Sequence, residues 1–208
     1  MPSKATRALA EQAHLLAREE CRAIARALAA TKRIHPAIHD ARKSIRRLRA
    51  LLALVDDRMP DASIIDRQLE RLGDGLSLLR DAHVVVETAT RFAKGHRKRW
   101  QPAIQALEAR RDARLASALE RDPGFLKRRA LVTRLEVRID FLDWSRLRLS
   151  DLGDGAEASQ ARLDRAESRA AFDLAPEHLH RWRRRVRRLR FQLEAIGKLS
   201  PATLPRGG

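Results

Sequence analysis

The chain has 208 residues, and its 44 basic residues against 27 acidic ones give a formal net charge of +17. Alanine, leucine and arginine fill 101 positions, whereas valine, isoleucine and threonine fill only 22, which favours helices and excludes an all-β or doubly wound fold. The single cysteine, Cys21, excludes an internal disulfide, and neither a secretion signal nor an apolar stretch of about 18 residues is present, so we expect a cytoplasmic protein without a transmembrane helix.

Proline and glycine divide the chain into seven predicted helices. Five prolines stand where a helix could begin within its first turn, namely Pro36, Pro60, Pro102, Pro123 and Pro176. The predicted helices cover residues 3–30, 36–57, 61–94, 102–121, 123–149, 156–172 and 176–199. Gly73 and Gly75 fall inside the third of them, which we expect to be one bent helix.

The pattern predicts one all-α domain, residues 1–208, with an internal boundary. Serine, aspartate and glycine concentrate in residues 150–155, between two strongly periodic segments. This stretch predicts a first helical bundle in residues 1–150 and a second, shorter helical unit in residues 156–200. Residues 201–208 are expected to form a loose tail.

An internal repeat is the most informative feature of the sequence. Residues 39–52 (HDARKSIRRLRALL) align without a gap to residues 180–193 (HRWRRRVRRLRFQL), 141 positions later. The two segments match at one histidine, four arginines and two leucines. The match indicates that a helical unit was duplicated and that its basic helix was retained.

Each repeated segment forms an amphipathic helix when it is drawn at about 100° per residue. On the first helix the cations within an arc of about 120° are Arg42, Lys43, Arg46 and Arg49. Arg47 lies on the flank of that face, and the opposite side is apolar. On the second helix the polar face carries Arg183, Arg184, Arg187 and Arg190. The residues expected in its core-facing stripe are Leu179, Trp182, Val186, Leu189, Leu193 and Ile196.

The second basic helix lacks the mixed charges of an ordinary solvated face. No carboxylate occurs between Glu177 and Glu194, and like charges one turn apart destabilise a helix. An external anion would resolve this repulsion, and arginine binds phosphoryl oxygens through two parallel hydrogen bonds. His39 and His180 add a donor to each helix that becomes charged near an anion.

The twice-repeated pattern His-x-x-Arg-x-x-x-Arg-Arg-Leu-Arg resembles the signature of the CHAD family. Residues 72–84 (LGDGLSLLRDAHV) are similar to the family's Leu-Gly and Arg-Asp segment, and the resemblance covers residues 5–200. It implies two helical bundles related by a pseudo-twofold axis, with a central basic channel that binds inorganic polyphosphate. It implies no catalysis, metal or cofactor, and the binding could target the protein to polyphosphate granules.

The repeat and the resemblance together predict the residues of the polyphosphate site. They are His39, Arg42, Lys43, Arg46, Arg47, Arg49, Arg80, His180, Arg183, Arg184, Arg187, Arg188 and Arg190. Two departures from the family pattern stand out: further helices usually follow the second basic motif, and tyrosine usually occupies the position of Phe191. They predict an incomplete second bundle, whose channel is open on one side or closed by a second subunit in a homo-oligomer.

Three other functions compete with this interpretation. Non-specific binding of duplex DNA or RNA is the main alternative, because a basic helical protein contacts nucleic acid through its phosphates. Only eight aromatic residues are present and none is tyrosine, which argues against stacking of single strands. The arginine faces could also meet an acidic protein in a scaffold. A di-iron enzyme is suggested weakly by Glu-x-x-His at residues 11–14 and 177–180.

Overall fold

The structure, a computed structural model, describes residues 3–199 apart from the side chain of Arg97; the predicted tail 201–208 lies outside these residues. The described part holds eight α-helices and two 3₁₀ turns but no strand, which confirms the all-α prediction. The helices are α1 Lys4–Leu28, α2 Ile34–Val55, α3 Asp61–Gly75, α4 Ser77–Phe92, α5 Arg97–Arg121, α6 Leu126–Asp140, α7 Leu149–Phe172 and α8 Pro176–Leu199. The 3₁₀ turns are Pro123–Phe125 and Trp144–Arg146.

Helix α2 lies at the centre of the molecule and contacts α1, α3, α4, α7 and α8. Its predicted apolar stripe is fully buried, since each member is at most 2% exposed: Ile38, Ala41, Ile45, Leu48, Leu52 and Val55. Burial of a large aliphatic side chain contributes about 1.5–3 kcal/mol, so this stripe fixes the rotation of α2. The opposite, basic face of α2 is thereby turned away from α1.

Helix α8 is rotated relative to its prediction. Its buried residues are Leu189, Phe191, Gln192, Ala195 and Leu199. Three residues that the periodicity placed in the core, Leu179, Val186 and Leu193, are instead 37%, 44% and 51% exposed. The expected core face of α8 is therefore wrong by roughly 100°, about one residue step around the helix. The reason is tertiary, because α8 packs on α7 and α2 and leaves much of its apolar stripe uncovered.

Two of the expected helices have other ends than predicted. Helix 102–121 begins at Arg97, so Pro102 lies inside α5, and helix 123–149 is divided into a 3₁₀ turn and α6, which ends at Asp140.

Two further expected boundaries are also wrong. The single bent helix at residues 61–94 is divided at Leu76, which is fully buried between α3 and α4. Residues 150–155, expected to be a boundary, belong to the first turns of α7. Gly155 packs directly on α2, since a Cβ atom there would lie 2.9 Å from the carbonyl oxygen of Leu54. The absence of a side chain at Gly155 therefore sets how closely α7 approaches α2.

Candidate functional site

An open groove with a volume of about 490 Å³ separates the basic face of α2 from the N-terminal half of α8. We call it the arginine groove. Its lining includes eight arginines, namely Arg42, Arg46, Arg49, Arg181, Arg184, Arg185, Arg187 and Arg188. The carboxylates in the lining are Glu70 and Asp74 of α3, and the apolar lining residues are Ile45, Ala50 and Phe191. Cations thus greatly outnumber anions in a concave site.

Arg46 is a cation of the groove whose charge the protein does not neutralise. Within residues 3–199 it forms no ion pair, and its Nε atom is buried without a hydrogen-bond partner. Burial lowers the pKa of Arg46 to about 10, assisted by repulsion from neighbouring arginines, chiefly Arg187 and Arg42. A guanidinium remains charged at neutral pH even with this shift, so the protein holds an unneutralised cation in a desolvated position.

Arg42 is oriented by hydrogen bonds to neutral groups. Its Nη1 donates to the carbonyl oxygen of Gly73 and, at 2.6 Å, to the hydroxyl oxygen of Ser77. Burial lowers its pKa, and Arg187 acts in the same direction, although Asp81 opposes the shift. The break between α3 and α4 therefore supplies acceptors that hold Arg42 in place without neutralising its charge.

Arg49 has a different role, because it is already neutralised within the protein. Its guanidinium donates to both carboxylate oxygens of Asp66, at 2.8 and 3.1 Å, and to Glu70 at 2.9 Å. Burial alone would lower the pKa of Arg49, but the hydrogen bonds to these carboxylates outweigh it and raise the pKa. Arg49 lines the groove, but it mainly connects α2 to α3.

Arg47 lies outside the arginine groove, on the side of α2 that faces α1. Its guanidinium is 3.9 Å from a carboxylate oxygen of Glu20 and 4.0 Å from one of Glu194. Burial raises the pKa of Glu20, although Ser44 and Arg47 both counteract the shift. Lys43 is exposed and also lies outside the lining. Neither Arg47 nor Lys43 therefore belongs to the arginine groove.

The predicted arginines of α8 divide into two sets. Arg184, Arg187 and Arg188 line the groove, whereas Arg183 and Arg190 do not. Arg190 forms an ion pair of 3.3 Å with Glu194. Both Arg183 and Arg190 nevertheless contribute to the lowered pKa of Arg187, after the larger effect of burial. Their charges therefore act on the groove from its margin.

Neither motif histidine lines the groove. His39 is half-buried, and burial lowers its pKa, as do Arg80 and Arg46 to a smaller extent. Arg80 itself forms an ion pair of 2.9 Å with Glu87, outside the lining. His180 is exposed. The equivalent positions of the repeat thus have different surroundings.

Two lining arginines, Arg181 and Arg185, were missed by the sequence analysis. The comparison of the two repeats did not identify them, because the equivalent residues of the first repeat, Asp40 and Ser44, are not cations. The density of arginines in residues 181–185 indicated that further cations could take part in the site. The predicted rotation of α8, however, did not place Arg181 and Arg185 on the same face as the motif arginines. The observed rotation brings Arg181, Arg184, Arg185 and Arg188 towards α2.

The features that would support a metal enzyme or a membrane span are lacking in the described residues. No group of three or more histidine, cysteine, aspartate or glutamate side chains within residues 3–199 could hold a metal ion. His14, of the predicted Glu-x-x-His pair, instead hydrogen-bonds Asp140 at 2.7 Å. None of the helices described by the structure has the length and apolar character needed to cross a bilayer.

Comparison with known protein families gives one match over nearly the whole chain. A family model described as CHAD domain matches residues 7–206. Neither the curated proteins nor the solved structures give a significant match.

Proposed function

The chain belongs to the CHAD domain family, and from this premise we propose that its arginine groove binds inorganic polyphosphate. The family is associated with polyphosphate binding. The observation that carries the proposal for this chain is Arg46, a half-buried guanidinium that has cationic neighbours and no carboxylate partner in residues 3–199. Phosphoryl oxygens would supply the acceptors that the protein does not.

The shape and lining of the groove favour polyphosphate over nucleic acid. A duplex is recognised by a surface that reaches into its grooves or along its backbone, whereas this site is concave. Single strands are usually held by aromatic stacking, but the one aromatic lining residue, Phe191, is only 4% exposed. A narrow polyanion without bases satisfies the cations and requires no stacking surface.

The test is a polyphosphate titration at several salt concentrations with two double variants of equal charge. Arg46→Gln/Arg187→Gln removes two unpaired groove cations, and Arg134→Gln/Arg138→Gln removes two exposed cations of α6 outside the groove. By analogy with single strands, the groove variant should flatten the logarithmic salt slope by about 1.4 units and weaken binding. Equal effects of the two variants would contradict the proposal, as would a groove variant that weakens only duplex DNA binding.

We propose further that the binding is not catalytic and requires neither metal nor cofactor. Metal-dependent phosphoryl transfer needs several carboxylates that hold the ion, whereas the lining of the groove has only Glu70 and Asp74, and Glu70 is engaged by Arg49 at 2.9 Å. Incubation of the protein with polyphosphate and Mg²⁺ or Mn²⁺ should release no phosphate above the protein-free background. Release that disappears in Arg46→Gln/Arg187→Gln would contradict this. A non-catalytic binder could accompany polyphosphate granules.

A further inference from the structure

A second cluster of cations lies on the other side of α8, in a groove between α7 and α8. We call it the outer groove, and its volume is about 360 Å³. Its lining residues are Arg162, Arg165, Ala166, Arg169, His178, Arg181 and Arg185. The polar residues follow the same i, i+3, i+7 spacing on both helices, which places them on one face of each. The family motif accounts for none of these positions.

The arginines of the outer groove have no carboxylate partners in the part of the chain that the structure describes. Asp173 ion-pairs instead with His178, at 3.3 Å. Burial is the largest cause of the lowered pKa of Arg185, followed by repulsion from Arg162, Arg184, Arg181 and Arg165. Five like charges along two packed helices repel one another, so the fold does not need them there.

The two grooves adjoin each other at the N-terminal half of α8. Arg181 and Arg185 belong to both linings, so the same two side chains can contact an anion from either side. The floor of the outer groove includes Ala166, whose small, buried side chain leaves the space between the helices open. No acidic side chain belongs to the outer lining.

We propose that a single long polyphosphate chain occupies both grooves, passing from the arginine groove over Arg181 and Arg185 into the outer groove. This inference rests on the proposed function and adds a chain-length preference to it. Short chains fill the arginine groove alone, whereas long chains gain the additional contacts of Arg162, Arg165 and Arg169. The outer groove therefore selects long polymers over short ones.

The path around α8 also discriminates between polyanions. An α-helix with its side chains is about 10–12 Å across, and duplex DNA has a persistence length of about 50 nm. A duplex therefore cannot follow α8 from one groove to the other. Polyphosphate, whose backbone consists of single P–O bonds, can bend around the helix.

The test compares tripolyphosphate with long-chain polyphosphate on the full chain. Arg162→Gln/Arg165→Gln/Arg169→Gln removes cations of the outer groove only, and Arg110→Gln/Arg134→Gln/Arg138→Gln removes the same charge elsewhere. For long chains the outer variant should lose about tenfold or more in affinity and about two units of salt slope relative to the control. Its affinity for tripolyphosphate should equal that of the control.

Two results would overturn this inference. One is an outer variant that binds long chains as tightly as the control does, and the other is an equal loss for both ligands, which indicates a separate site rather than a continuation. A loss seen only with duplex DNA would assign the outer groove to nucleic acid instead. Failure of the proposed function is distinguishable, because Arg46→Gln/Arg187→Gln would then leave binding of both phosphate ligands unchanged.

Discussion

Arg46 and Arg49 lie one helical turn apart on α2, yet their surroundings differ in kind. Arg49 is held by Asp66 and Glu70, so its charge is cancelled and its pKa is raised despite burial. Arg46 has no carboxylate partner in the described part of the chain, and burial together with repulsion from neighbouring arginines lowers its pKa to about 10. Arg49 therefore stabilises the fold, whereas the positive charge of Arg46 is available to a ligand.

This contrast predicts opposite effects on stability. Arg46→Gln removes repulsion from a desolvated cation, so the free energy of unfolding should stay the same or increase slightly. Arg49→Gln leaves two carboxylates without their partner and should destabilise the protein by about 1–2 kcal/mol. Urea denaturation of the two variants, without ligand, measures both effects. Equal destabilisation would mean that Arg46 serves the fold.

Histidine protonation predicts how stability depends on pH. Burial is the largest cause of the lowered pKa of His35, His39 and His83. His39 faces Asp40 and Arg46 on α2 and Arg80 and Glu87 on α4. Histidines whose pKa is lowered by folding bind protons more weakly in the folded state than in the unfolded state. The free energy of unfolding should therefore have its full value at a pH above 6.5, the pKa of histidine in the unfolded state, and should decline as the pH falls below 6.5.

The measurement is the melting temperature between about pH 7.5 and about pH 5.5, where carboxylates contribute little. His39→Gln/His83→Gln should show a smaller decline than the parent protein over this range. His180→Gln, at an exposed position, is the control and should follow the parent. An identical decline in all three proteins would show that protonation of the half-buried His39 and His83 does not produce it.

At the scale of elements, the placement of α7 on α2 determines the shape of the arginine groove. Gly155 allows this placement, because a Cβ atom there would lie 2.9 Å from the Leu54 carbonyl oxygen and 3.0 Å from the Leu54 Cα. Helix α8 follows α7 after a short connection and packs along it. A displacement of α7 would therefore also move the arginines of α8 relative to those of α2.

Alanine substitutions in α7 provide a matched test of this contact. Gly153 lies in the same helix, and a Cβ atom there would meet nothing within 4 Å. Gly153→Ala should stabilise the protein by about 0.5–1 kcal/mol through helix propensity. Gly155→Ala gains the same propensity but forces α7 away from α2, at a cost of about 1–3 kcal/mol. Thermal unfolding should thus shift in opposite directions, and stabilisation by both changes would contradict the close contact.

The two motif helices also show which aspects of an element its sequence predicts. The buried face of α2 follows its apolar periodicity. Helix α2 has neighbours on several sides, and these cover apolar residues such as Ile45 and Leu48 completely. The rotation of α8 could not be predicted in this way. Its neighbours cover Phe191 and Gln192 and leave Val186 exposed, which depends on tertiary packing rather than on the local pattern. The inclusion of Arg181 and Arg185 follows from that rotation.

For the whole molecule, the sequence predicted the helical class and the family through local patterns, but not which charges remain available. The pairing of Arg49 with Asp66 bridges α2 and α3, and that of Arg47 with Glu20 bridges α2 and α1. Such partners are distant along the chain, so a helical wheel cannot identify them. The distinction between paired and unpaired arginines therefore depends on how α1 and α3 pack against α2.

Binding of polyphosphate in the arginine groove between α2 and α8 can be observed at individual side chains. Its most direct test is an NMR titration that follows the Nε–Hε signals of assigned arginine side chains as long-chain polyphosphate is added. We expect saturable shifts for Arg46, Arg184 and Arg187, with the signals of Arg134 and Arg138 on α6 unchanged. Shifts confined to Arg134, Arg138 or other arginines outside the groove would contradict it.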